Sequence, residues 1–88
     1  MKHAREDYQR FQDPENKIPE DEPVFIVRGQ DICAPDTLEF WARQAALRGA
    51  SEKIVDLVMQ QAEDMREWQR TKKSKIPDLP GDKKNVLE

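Results

Sequence analysis

Apolar residues recur at intervals of three and four along two stretches of the chain, a spacing typical of amphipathic helices. The first stretch follows Pro35 and ends before Gly49, a residue type that commonly lies just past a helix C-terminus. The second begins after Ser51, a favourable N-cap, and its apolar positions continue to Trp68, so we expect that helix to reach about Lys73. The short link between the two stretches predicts an antiparallel αα-hairpin with a long C-terminal helix that extends beyond the first.

A third, shorter helix is predicted over residues 2–12, where Ala4, Tyr8 and Phe11 share one face of a 3.6-residue period. An isolated helix of this length is marginal in water, so it must dock on another part of the protein. The pattern leaves open whether it docks on its own chain or on a neighbouring subunit.

An acidic loop with three prolines over residues 13–23 precedes four consecutive apolar residues at 24–27. These four have the strongest β-forming character in the chain, but the pattern shows no second strand to pair with them. They either pack across helices as an extended segment or pair with another subunit. A turn is expected at 28–31, where Gly29 can adopt a positive φ.

These patterns predict an all-α or nearly all-α fold: a short N-terminal helix, an extended segment and the αα-hairpin. We expect residues 1–73 to form a single small helical domain and residues 74–88, with two prolines, to form a flexible tail. A chain of 88 residues buries only about 60% of its unfolded surface on folding. Because the unpaired strand-like segment and the overhanging helix face both need cover, we expect a homo-oligomer.

Composition and charge exclude several classes of protein. Charged residues make up 38% of the chain, and no apolar run approaches the ~20 residues that span a bilayer, so we expect no membrane partner. The net charge of −3 disfavours duplex DNA, which usually meets a basic face. Cys33 is the single cysteine, which excludes a disulfide scaffold, and no apolar secretion signal begins the chain. Both features are typical of a reducing cytoplasm.

Charge is unevenly distributed, with an acidic stretch at 13–22 and a basic stretch at 66–75. The two stretches are either solvated surfaces, complementary faces for self-association, or a polyanion site at the basic end. The sequence contains no nucleophile–base pair, no glycine-rich phosphate loop and no metal-ligand spacing. We therefore predict a binding protein and not an enzyme, with no metal and no cofactor.

Two groups of residues are candidates for ligand binding. Tyr8 lies among basic residues, and an aromatic ring beside cations suits a nucleotide, since the ring stacks on a base while cations meet phosphate. The turn offers a guanidinium and two side chains that read hydrogen-bond patterns. A core role for Tyr8, and an internal ion pair or helix cap at the turn, are the alternatives. The candidate ligand-binding residues are Tyr8, Arg5, Lys17, Arg28, Gln30 and Asp31, and the candidate interface residues are Phe11, Trp41, Met65 and Trp68.

Residues 8–14, 18–25, 28–31 and 34–35 together resemble a set of short phage-encoded proteins in their order and spacing. The predicted architecture is also similar in outline to the helical anti-CBASS sponges, which assemble into oligomers that hold cyclic nucleotides between subunits. By analogy of architecture, the resemblance implies a phage accessory protein in the host cell cytoplasm. Its expected anti-defence function is to sequester a cyclic nucleotide second messenger without cleaving it.

An alternative function is a protein–protein inhibitor or adaptor that docks on a host or phage enzyme through the helix 51–73 face. Tryptophan is a frequent energetic hot spot in such contacts, and Trp68 lies on that face. The expected partners are thus a second copy of the chain, a cyclic nucleotide or a host defence protein. A nucleic acid bound by residues 70–75 is the least favoured hypothesis.

Overall fold

The computed structural model describes residues 2–3, 5, 7, 13–82 and 86–87. Within this part of the chain the structure is mostly helical, with α1 (Ala34–Leu47) and α2 (Glu52–Thr71), which confirms the predicted helical class. Its strands are two residues long, and they are β1 (Lys2–His3), β2 (Pro23–Val24), β3 (Ser74–Lys75) and β4 (Val86–Leu87). Neither of the two described helices is both long and apolar enough to cross a membrane.

The ends of α1 form where the sequence predicts them. Pro35 lies in the first turn, where its missing N–H costs no helical hydrogen bond. Beyond the last turn, the Gly49 N–H donates to the Ala46 carbonyl at 3.1 Å and the Ala50 N–H donates to the Ala45 carbonyl at 2.9 Å. This is a Schellman motif, and Gly49 adopts the φ of +93° that such a motif favours in glycine.

The start of α2 is also confirmed, and its end comes slightly earlier than expected. Ser51 is the N-cap, and its Oγ accepts a hydrogen bond from the Ile54 N–H at 3.4 Å. The helix ends at Thr71, short of the expected end near Lys73. The chain leaves the helix there because Ser74 already belongs to β3.

The contact between α1 and α2 is narrow and lined by small side chains. Ala42 and Ala62 are fully buried, and Met65 is 9% exposed. Among the described residues, no large side chain is fully buried. In contrast, Phe40 and Leu47 on α1 are 59% and 81% exposed. The described chain therefore buries little apolar area of its own, and much of its large apolar surface faces outward.

A short parallel pairing replaces part of the predicted N-terminal helix. β1 runs beside β2, with Lys2 opposite Pro23. The prediction of a helix over residues 2–12 is therefore wrong for residues 2–3, which form β1. An isolated helix of that length gains little stability, whereas the extended segment offers unpaired backbone groups that a second strand satisfies. This is the partner strand that the hydrophobic pattern did not reveal.

The segment after α2 returns to the loop before α1. The Lys75 N–H donates to the Gln30 carbonyl at 2.9 Å, and the Ile32 N–H donates to the Lys75 carbonyl at 2.9 Å. β3 also pairs with β4 in antiparallel register. Flexibility of residues 74–88 stays a prediction, but the first of these residues are hydrogen-bonded to the body of the protein.

Candidate functional site

One cavity brings together predicted ligand-binding residues that are far apart in the sequence. It has a volume of about 280 Å³, and Arg5, Arg28, Gln30 and Asp31 all line it. The chain after α2 forms another wall through residues 77–82. We call this space the tail cavity. The tail cavity thus brings together four of the six residues predicted to bind a ligand.

Most charges of the tail cavity are already paired within the chain. Arg5 Nη2 lies 2.7 Å from Asp7 Oδ2, and Lys75 Nζ lies 2.9 Å from Asp78 Oδ1. Arg28 is exposed and makes no ion pair with any residue that the structure describes. Its guanidinium can therefore meet an anionic group without giving up an existing charge partner.

The turn at 28–31 forms as predicted, with one difference. The Asp31 N–H donates to the Arg28 carbonyl at 3.0 Å and closes the turn. Gly29, however, is not among the described residues that adopt a positive φ, contrary to the expectation for this glycine. A turn of this span also closes with negative φ at both central residues, which any residue type adopts.

The two polar side chains of the turn differ in their freedom to bind. Asp31 Oδ1 accepts a hydrogen bond from the Cys33 N–H at 2.8 Å, just before α1 begins. The Gln30 side chain is half-buried, and its amide makes no hydrogen bond with another described residue. Gln30 therefore offers both a donor and an acceptor to a ligand, whereas the Asp31 side chain is already bonded to the backbone N–H of Cys33, the N-cap residue of α1.

A second cavity lies against the same turn and α2. It has a volume of about 340 Å³, and its walls are residues 28–30, Gln61, Asp64, Met65 and Trp68. We call it the helix groove. Arg28 and Gln30 line both the helix groove and the tail cavity, so the turn is the common wall of the two spaces. The groove also offers the aromatic surface of Trp68, which is 41% exposed.

Of the other candidate residues, Lys17 and Trp41 line neither cavity, and Met65 lines the helix groove. Lys17 Nζ lies 3.3 Å from Glu15 Oε1. Tyr8 and Phe11 lie outside the described residues. Trp41 is 50% exposed on α1, whereas Met65 is buried within its own chain. Roles for these residues in ligand binding or in an interface stay predictions.

Two sets of contacts made by α2 were not predicted from the sequence, and the first involves Arg66. Its Nη1 donates to Glu39 Oε2 at 2.6 Å and to Glu63 Oε1 at 3.0 Å, and its Nη2 donates to Asp36 Oδ1 at 3.1 Å. The hydrogen bond from Arg66 lowers the pKa of the Glu39 carboxyl, and the same contact raises the pKa of the Arg66 guanidinium. Asp36 and Glu39 have capping-box spacing, but both carboxylates contact α2 instead of capping α1. That acidic pair, opposite a basic residue in the next helix, was the available signal.

The second contact is made by Gln69. Its Nε2 donates to the carbonyl oxygens of Gly29 and Asp31, each at 2.8 Å. The side chain is half-buried between α2 and the turn. No local pattern indicates such a contact, because a glutamine on an amphipathic helix is most simply placed in solvent.

Comparison with known proteins finds no match to this chain. No protein-family model matches the chain, and no curated protein and no solved structure matches it. In the ranges that the structure describes, no group of three or more His, Cys, Asp or Glu side chains could hold a metal ion. The chemistry offered by the two cavities is hydrogen bonding from Gln30, charge from Arg28 and aromatic contact with Trp68.

Proposed function

We propose that this chain is a phage accessory protein that binds a cyclic nucleotide second messenger in the host cell cytoplasm and withholds it from a defence pathway without cleaving it. The observation that carries the proposal is the convergence of Arg5, Arg28 and Gln30 on the tail cavity. The resemblance of residues 8–14, 18–25, 28–31 and 34–35 to short phage proteins supports the phage setting. The ligand class comes from the analogy of architecture with the helical anti-CBASS sponges.

The wall residues suit the two halves of a nucleotide. The Arg28 guanidinium is a planar fork that meets a phosphate with two parallel hydrogen bonds. The Gln30 amide can donate and accept at once, which is what recognition of a base edge requires. Tyr8 is the predicted stacking partner for the base. Binding of this kind requires no nucleophile or general base.

The size of the tail cavity sets how much of the ligand it holds. Its volume of about 280 Å³ lies just below the ~300–1,000 Å³ found for small-molecule pockets. It therefore suits one nucleotide unit of a cyclic di- or trinucleotide. The remaining units would extend outward, toward solvent or toward a second copy of the chain.

Self-assembly is the second part of the proposal. Phe40, Trp41, Leu47 and Leu57 are each at least half exposed, and monomeric proteins rarely leave extended apolar patches uncovered. The narrow contact between the helices adds little apolar burial to offset that exposure. We propose that α1 and α2 pack as an antiparallel hairpin and that their outer faces form a homo-oligomer.

Native mass spectrometry tests this function most economically. The protein is measured alone and with a mixture of cyclic di- and trinucleotides, so that one spectrum reports both subunit number and retained ligand. We expect a discrete oligomer that gains ligand mass, and we expect Arg28→Ala to abolish that gain. Arg48→Ala is the matched control, because Arg48 is an exposed arginine that lines neither cavity. Retention of ligand by Arg28→Ala would remove Arg28 from the site.

A second candidate function is a protein–protein inhibitor or adaptor acting through the helix 51–73 face. The observation that favours it is the exposed Trp68 beside Met65 in the helix groove, since tryptophan often dominates binding energy at interfaces. A wild-type protein that ignores every nucleotide, but copurifies in fixed ratio with one host or phage enzyme, would support it. Trp68→Ala should then abolish copurification without unfolding the protein.

A further inference from the structure

The turn that separates the two cavities is attached to α2 by one side chain. Gln69 uses a single Nε2 atom to donate to two carbonyl oxygens, those of Gly29 and Asp31. These hydrogen bonds join residues 40 and 38 positions apart in the sequence. The backbone is therefore fixed at Gly29 and at Asp31 relative to one position on α2.

The carbonyl between them is held from a different segment. The Gln30 carbonyl accepts a hydrogen bond from the Lys75 N–H at 2.9 Å. Three consecutive carbonyls of the turn are thus bonded in alternation to Gln69 and to the chain after α2. Residues that are tied at three successive positions have little freedom to change their backbone angles.

We propose that Gln69 is a positioning residue for ligand binding. It touches no ligand in this scheme, but it fixes the backbone from which Arg28 and Gln30 reach the tail cavity and the helix groove. If the turn were released, the two side chains would be correctly placed for only part of the time, and the apparent affinity would fall in proportion. The effect on affinity rests on the proposed function, whereas the fixing of the turn does not.

The substitution Gln69→Glu tests this assignment with little change in side-chain shape. It replaces the donor nitrogen by an oxygen that only accepts when ionised, so two carbonyl oxygens lose their donor. We expect exchange of the hydrogen-bonded amides of Asp31, Ile32 and Lys75 to accelerate about tenfold or more, the factor expected when polar groups lose their partner. We expect the far-UV circular dichroism spectrum to stay close to that of the wild type, because the helices keep their own contacts.

Binding is measured in the same samples with a mixture of cyclic di-AMP, cyclic di-GMP and cyclic tri-AMP as the probe. Gln69→Glu should reduce retained nucleotide about tenfold, in line with the loss of the fixed turn. Gln69→Lys restores a donor that can reach carbonyl oxygens, so it should recover slow exchange and most of the binding. Gln44→Glu is the matched control: it makes the same chemical change at a half-buried position on α1 that lines neither cavity.

The outcomes separate this proposal from the proposed function. Wild-type exchange rates in Gln69→Glu would overturn the role of Gln69, and so would faster exchange with unchanged nucleotide retention. A third outcome is faster exchange in Gln69→Glu together with a wild-type protein that binds none of the three nucleotides. That outcome would support the fixing of the turn by Gln69 and contradict the cyclic nucleotide function. Equal losses of retained nucleotide in Gln69→Glu and Gln44→Glu would also overturn the role of Gln69, since such losses would reflect only the added negative charge.

Discussion

The helical pair and the irregular segments around it are stabilised in different ways. The end of α1 and the start of α2 depend on contacts close in sequence, such as the Ser51 cap and the Schellman motif at Gly49. The irregular segments depend on contacts far apart in sequence, such as those between Lys75 and Gln30. The tail cavity lies along the irregular segments, and the helix groove lies between the turn at 28–31 and α2, so α2 forms part of the candidate site.

The two regions also differ in what they leave exposed. The helical pair buries alanines and presents Phe40 and Leu47 outward, whereas the irregular region presents Arg28 in a cavity wall. The first kind of surface is suited to another copy of the protein, and the second to a polar ligand. This division predicts that changes in one region will affect stability or assembly and that changes in the other will affect binding.

The largest stability effect is expected where the helices touch. Ala62→Leu inserts three heavy atoms at a fully buried position, and overpacking of this kind costs about 1–3 kcal/mol. Chemical denaturation with urea measures the loss in the free energy of unfolding. Ala46→Leu makes the same change at an exposed position of α1, and it should change stability by less than about 0.5 kcal/mol. Equal losses at both sites would contradict the close helix contact.

A glycine in each region gives a matched comparison. Gly49 has a φ of +93° with nothing within 4 Å of an added Cβ, so Gly49→Ala should cost about 1–2 kcal/mol through backbone strain alone. At Gly29 an added Cβ would meet only Met65 Cγ, at an ordinary 3.8 Å. Gly29→Ala should therefore leave the free energy of unfolding nearly unchanged. Thermal unfolding of the two variants measures which substitution costs more stability. A larger loss in Gly29→Ala than in Gly49→Ala would show that the turn, and not the link between the helices, requires glycine.

The N-cap of α2 should contribute a smaller effect. Ser51→Ala removes the side-chain acceptor of the Ile54 N–H, and such a loss costs about 0.5–1 kcal/mol when the hydrogen bond is long. Circular dichroism during thermal unfolding measures the change. Ser51→Asp keeps an acceptor and should preserve the wild-type melting temperature, whereas loss of stability in that variant too would exclude a capping role.

The ion pairs of Arg66 should give a small, pH-dependent effect. Because Arg66 lowers the pKa of Glu39 in the folded protein, the stabilisation is present above the carboxyl's unfolded pKa and is lost as the pH falls through its folded pKa. Glu39→Gln should therefore be less stable than the wild type at neutral pH, and the difference should shrink in acid. Urea denaturation of the wild type and of Glu39→Gln at neutral and at acid pH measures this difference. A constant difference for Glu39→Gln at all pH values would exclude this linkage.

The two regions were also unequally predictable from the sequence. The limits of α1 and the start of α2 follow from Pro35, Gly49 and Ser51, because caps act on neighbouring residues. Arg28 and Gln30 were identified as candidate binding residues from their chemistry alone. Their convergence with Arg5 could not be derived, since it depends on where distant segments fold.

The contacts that were not predicted have one thing in common: they leave no recognisable local pattern in the sequence. β1 and β3 are only two residues long, which is too short for an alternating pattern to show. The Gln69 side-chain amide donates to backbone carbonyl oxygens. Every residue has a backbone carbonyl, so the sequence does not indicate which residues accept these hydrogen bonds. The tertiary pairing at Lys2–His3 also replaced a helical preference that was weak from the start.

The central claim is that the common wall at 28–31 binds a cyclic nucleotide. The most direct test is an NMR titration of the ¹⁵N-labelled protein with cyclic di-AMP, cyclic di-GMP and cyclic tri-AMP, with Arg28→Ala measured in parallel. The proposed function predicts saturable shifts of the amide signals of residues 28–31 and of the non-proline residues in 75–82 in the wild type, and their loss in Arg28→Ala. Signals that do not move, or that move only on the exposed faces of α1 and α2, would contradict it.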